Sequence, residues 1–91
     1  MPVHRDFAFI VSDDVQAGVI LKAAKGADKQ LISNAVLFDV YKGKGVEEGH
    51  KSLAIDLTLS PKEATLTDKE IEAVSDKIIA SVMEVGGRLR T

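Results

Sequence analysis

"AVLFDVYKGKGVEEGHKSLAIDLTL", Ala35 to Leu59, decides the fold. Its first part, Ala35 to Lys42, reads as a β-strand with period two. Val36, Phe38 and Val40 fall on one face, and Leu37, Asp39 and Tyr41 on the other. Its last part, Lys51 to Leu59, alternates in the same way. Leu53, Ile55, Leu57 and Leu59 face one side, and Ser52, Ala54, Asp56 and Thr58 the other. The connection "GKGVEEGH", Gly43 to His50, is glycine-rich and too short for a helical crossover, so the two strands form an antiparallel hairpin. One oddity remains inside this hairpin. The second face of its first strand carries a carboxylate and the only tyrosine of the chain, two residues apart.

The flanking segments complete the pattern. "RDFAFIV", Arg5 to Val11, is a half-buried strand with Phe7, Phe9 and Val11 on one side. "SDD", Ser12 to Asp14, is rich in helix N-cap residues. Ala17, Ile20, Ala24, Ala27 and Leu31 then recur at helical spacing, with a bend or an end expected at Gly26. Downstream, Pro61 ends the third strand. Thr67 and Glu70 form a capping box, and Ile71, Val74, Ile78, Val82 and Val85 trace a helical stripe. Gly86 and Gly87 stop that helix. "RLRT" follows as a short fourth strand with Leu89 inward and Arg88 and Arg90 outward.

The order β-α-β-β-α-β predicts an α+β fold of ferredoxin-like architecture. Two helices lie on one face of a four-stranded antiparallel sheet of order 4-1-3-2. The helices are expected to cover Phe7, Phe9, Val36, Phe38, Val40 and the leucines of strand three. The other face is open, displaying Ala8, Ile10, Leu37, Asp39, Tyr41, Ser52, Ala54, Asp56 and Thr58.

Composition narrows the function. The 91 residues make one domain, 1–91, close to the smallest size that a single core sustains. No apolar run is long enough to span a membrane, and "MPVHRD" lacks the shape of a signal peptide, which together favour the cytoplasm. The chain has no cysteine, so thiolate chemistry and cysteine-based metal sites are excluded. A formal charge of −2 argues against a strong autonomous nucleic-acid binder, but not against a module within a larger assembly. His4 and His50 belong to no metal-ligand spacing. The loop "DDVQAGVILK", Asp13 to Lys22, faintly echoes the "GxVQGVxxR" loop of acylphosphatases. It lacks the leading glycine and the arginine that would hold a phosphate.

The open face suits a base of single-stranded nucleic acid. Tyr41 offers a flat platform, and Asp39 an acceptor for the N–H groups of guanine's Watson–Crick edge. Ser52 adds a polar contact. Lys42, Lys44, His50 and Lys51 surround that end of the hairpin, and Arg88 arrives there too, a set suited to phosphates. The plainer reading stays open at this point. Tyr41 can cover apolar surface on an edge strand, and the lysines can be solubility charges. A stand-alone interaction or regulatory domain with the same fold is the alternative function.

The stretches "RDFAFIV", "KGADKQLISNAVLFDVYKGKGVEEGHKSLAIDLTL", "TLTDKEI" and "GGRLR" together resemble the ferredoxin-fold anticodon-binding domain at the C-terminus of the β subunit of bacterial phenylalanyl-tRNA synthetases. The resemblance implies a non-catalytic part of an (αβ)₂ ligase that charges tRNA(Phe) using ATP and Mg²⁺, with the active site in the α subunit. No cofactor is expected in this domain itself. The implied base-contacting residues are Ala8, Asp39, Tyr41 and Ser52, with the wobble guanine of the anticodon as the base. Met1 stands directly before the "P-x-x-R-D" run where the family's β subunits carry several hundred further residues. The chain is therefore read as a fragment of a longer protein.

Overall fold

The computed structural model describes residues 2–61 and 65–90. The elements are β1 (Val3–Ser12), α1 (Ala17–Gly26), β2 (Ile32–Tyr41), β3 (His50–Leu59), α2 (Asp68–Glu84) and β4 (Arg88–Leu89). The sheet has the order β2-β3-β1-β4 with antiparallel neighbours, which is the expected 4-1-3-2 order read from the other edge. Thr91, the end of the expected fourth strand, lies outside the described residues. Among the described residues no helix is long and apolar enough to cross a membrane.

The core lies between the sheet and the helices. Phe9 and Val11 of β1 and Leu53, Ile55, Leu57 and Leu59 of β3 meet Ile20 and Ala24 of α1 and Ile71, Val74, Ile78 and Val82 of α2. Each of these sets follows the period of its own element, two in the strands and 3.6 in the helices. The capping box forms as read. Thr67 N–H donates to Glu70 Oε1 at 3.0 Å, and Glu70 N–H to Thr67 Oγ1 at 3.1 Å. Val85 ends α2 as its C-cap and is exposed, so the buried stripe stops at Val82.

The start of α1 differs from the expectation. Ser12 closes β1, and Ser12 to Val15 turn on a 3.0 Å bond from Val15 N–H to the Ser12 carbonyl. The helix begins at Ala17 behind Gln16, which makes no side-chain cap. Ser12 is drawn into the longer β1, where it pairs with His50.

The larger correction concerns β2. Strict alternation puts Val36, Phe38 and Val40 under the helices and Leu37 on the open face. Instead Ala35 pairs with Leu57, Leu37 with Ile55 and Val40 with Leu53, so these three share the helix side, although Val40 is not covered by the helices and stays 51% exposed. Val36 pairs with Asp56 on the open side. A β-bulge between Leu37 and Asp39 leaves Phe38 without a partner in β3, and it is 57% exposed. A second irregularity inserts Ser33 between Ile32 and Asn34. Each extra residue shifts the alternation by one, and both faces of β2 are apolar enough for either phase. Phe38→Ala should accordingly change unfolding free energy by no more than about 1 kcal/mol, as for a surface site. A loss of roughly 3 kcal/mol or more in urea melts, the scale for a core phenylalanine, would place Phe38 in the core instead.

Candidate nucleic-acid interface

Residues directly opposite in antiparallel pairing share a face, so register alone arranges the open side into rows. One row runs Ala8–Ala54–Asp39 across β1, β3 and β2. Arg90 extends it at the β4 edge, where its N–H donates to the Ala8 carbonyl at 2.8 Å. The next row runs Arg88–Ile10–Ser52–Tyr41. Two alanines thus floor the middle of one row, with an arginine at one end and a carboxylate at the other. Beside it stands the tyrosine, whose position is fixed by the turn. Tyr41 Oη donates to the Lys44 carbonyl at 2.8 Å, and Gly43 (φ 138°) curls over the ring. A Cβ on Gly43 would stand 3.2 Å from Tyr41 Oη.

Two further rows continue toward the far end of the sheet, Asp6–Asp56–Val36 and His4–Thr58–Asn34. They make that end acidic. The face therefore grades from arginines and tyrosine at the hairpin end to paired carboxylates at the other.

The sequence profile of the family described as "Ferredoxin-fold anticodon binding domain" matches residues 2–90. This chain belongs to that family. Among similar proteins are phenylalanine–tRNA ligase β subunits. That of Bradyrhizobium diazoefficiens is 57% identical over 90 residues, 98% of this chain and 11% of that protein. That of Rhodospirillum rubrum is 53% identical over 91 residues, 99% and 11% respectively, and that of Rhodopseudomonas palustris 53% over 90 residues. The chain spans about a tenth of the length of these relatives.

Within this ferredoxin-fold anticodon-binding domain, the structure brings Ala8, Asp39, Ser52 and Tyr41 into the two adjacent rows. Arg88 joins them, ion-paired to Glu47 of the hairpin loop. Lys44 reaches the site through its carbonyl. Lys42 and Lys51 do not join. Lys51 lies opposite Val11 on the helix side and donates to the Asp13 carbonyl at 3.3 Å, while Lys42 Nζ is 2.7 Å from Asp13 Oδ2. Among the described residues no three His, Asp or Glu side chains are grouped as metal ligands would be.

Two features escaped the sequence reading. Ser52 and Ile10 lie on the open face yet are only 3% exposed each. The second feature is Arg90, whose guanidinium carbon sits 5.2 Å from the centroid of the Tyr41 ring. Arg90 follows β4 at one edge of the sheet and Tyr41 ends β2 at the other, with β1 and β3 between, so the two side chains meet across the open face. Alternation had turned Arg90 outward, but nothing local in "RLRT" says how far a long side chain reaches across the sheet.

The acidic row carries opposed titrations. The hydrogen bond with Asp56, some desolvation and the repulsion between the two carboxylates raise the Asp6 pKa. Hydrogen bonds, first from His4 (Nδ1 to Oδ1, 3.1 Å) and then from Asp6, lower that of Asp56. A raised carboxyl favours the fold while protonated, and that benefit is lost as pH rises through the raised value. The lowered Asp56 contributes above its unfolded value and loses this as pH falls through the lowered one. Asp6→Asn supplies a donor to Asp56 without a proton. It should raise the melting temperature near neutral pH, by a margin that shrinks as the wild-type Asp6 takes up its own proton in acid. Melts by circular dichroism across that range check this, and a gain independent of pH would rule out the carboxyl pair as its source.

Proposed function

We propose that this domain is the anticodon-reading module of a phenylalanine–tRNA ligase β subunit and contacts the wobble guanine of tRNA(Phe) through its open face. The observation that carries the reading is the meeting of Ala8, Asp39, Ser52 and Tyr41 in two neighbouring rows, on the face that the helices leave uncovered. The base stacks on Tyr41 over a floor kept low by Ala8 and Ala54. Asp39 accepts from the guanine N1–H and N2–H groups, which adenine does not offer in that arrangement. Ser52 supplies a hydroxyl beneath the ring. The Asp6–Asp56 pair repels phosphate from the far end and so confines RNA to the hairpin end.

On this reading the domain reads tRNA and performs no bond chemistry. ATP, Mg²⁺ and the aminoacylation site belong to the rest of an (αβ)₂ ligase working in the cytoplasm, and the domain is carried by the remainder of the β subunit. The test is a titration of anticodon stem-loops carrying guanine or adenine at the wobble position. Wild type should prefer guanine. Asp39→Asn should lose most of that preference, about 1–3 kcal/mol on the scale of a bidentate side chain–base contact, while binding the adenine RNA nearly as before. Equal losses on both RNAs would remove Asp39 from base reading.

A further inference from the structure

We infer that Arg90 is a further RNA-contacting residue of this face: its guanidinium lies on Tyr41 in the free domain, is displaced by the entering base, and then pairs with a phosphate of the same RNA. The inference rests on the reading of Tyr41 as a base platform and adds a residue and a direction to it.

Three observations converge. The first is occupancy. A planar cation 5.2 Å from the ring centroid stands where a stacked base would need to lie. Ser52 and Ile10, in the same row as Tyr41, are only 3% exposed each, so this end of the face offers no open access to the Ser52 side chain. Base contact with Ser52 requires that side chains around it move, and the guanidinium on its row neighbour Tyr41 is one that holds the ring face. The second is availability. At this end of the sheet Arg88 pairs with Glu47, and Lys42 with Asp13. Among the described residues Arg90 has no carboxylate partner, only the π-face of Tyr41 and the gap left by Gly45, where a Cβ would come within 3.2 Å of Nη2. Leaving the ring therefore breaks no ion pair in that set. The third is polarity. Arg88 and Arg90 stand at the β4 edge, while Asp39 lies toward β2 with the alanine floor between. A nucleotide laid across this row places its phosphate by the arginines and its base edge by Asp39. The opposite orientation sets phosphate against carboxylate.

Tyr41 is the only tyrosine, so 3-fluorotyrosine labelling of the chain yields a single ¹⁹F resonance at the site. The experiment follows that resonance while an anticodon stem-loop with a wobble guanine is added to wild type, Arg90→Ala and Arg90→Lys. Without RNA, both variants should differ from wild type, because the guanidinium has left the ring. At saturation, wild type and Arg90→Ala should converge on one shift, because the base has replaced the guanidinium in wild type too. The slope of log affinity against log salt should shrink by about 0.7 in Arg90→Ala, the value of one single-strand phosphate contact, and stay unchanged in Arg90→Lys. Resonances that stay apart at saturation would mean that Arg90 remains on the ring. An unchanged salt slope in Arg90→Ala would remove the phosphate contact. Either result overturns the inference and leaves Tyr41 as a base platform. RNA that moves the resonance of no variant overturns the platform reading, and this inference with it.

Discussion

Replacing Tyr41 with alanine is expected to weaken binding of the anticodon stem-loop by about 1–3 kcal/mol, roughly 5- to 150-fold, the scale of one base–aromatic stack. The hairpin holds the ring in place, through the bond from its hydroxyl to the Lys44 carbonyl and the close passage of Gly43, as the proposed stacking requires. Tyr41→Phe separates the two contributions. It keeps the stacking surface and drops one solvent-accessible hydrogen bond, so its loss should stay below about 1 kcal/mol. Isothermal titration with both variants, checked for folding by circular dichroism, gives the comparison. Alanine binding as tightly as wild type would mean that the base stacks elsewhere.

Phe9→Ala should have the largest effect on stability, about 3–5 kcal/mol. Phe9 is fully buried on the central strand β1, between Leu53 of β3 and Leu89 of β4, with its ring 5.7 Å from that of Phe7. A domain of this size has on the order of 5–14 kcal/mol in all, so the variant should lose a large share of its stability. The expected fall in melting temperature is about 15–30 °C. Urea melts of Phe9→Ala and Phe38→Ala side by side form the sharper check. Both residues are phenylalanines at strand positions that alternation assigned to the core, and only one is buried. Similar losses in the two variants would contradict the bulge in β2.

The contrast between these phenylalanines shows how far a pattern carries. In β1 and β3 only one face is continuously apolar, so alternation has a single phase and names Phe9, Leu53, Ile55 and Leu57 correctly. In β2 both phases are apolar, Val36-Phe38-Val40 against Ala35-Leu37-Val40. Pairing with β3 chooses between them, and a bulge changes the phase midway. Asp39 and Tyr41 were placed on the open face all the same, because they follow the bulge and the turn after them anchors their register. The N-terminus of α1 departs from its local pattern for a related reason. Ser12 has the chemistry of a cap, but a longer β1 claims it as a pairing partner of His50.

The sequence by itself determined the order of elements, the topology of the sheet, the face left open, and Ala8, Asp39, Tyr41 and Ser52 as residues of that face. The elements and their faces follow from local periodicity, capping and turn chemistry, which each segment carries within itself, and the strand order from the ferredoxin-like architecture that this succession of elements selects. Only the tertiary structure decided that Val36 and not Leu37 shares the face, that Lys42 and Lys51 turn to Asp13, and that Arg90 closes over Tyr41. Those outcomes depend on register and on side chains that meet across strands distant in sequence. No local pattern encodes such meetings; packing the whole sheet does.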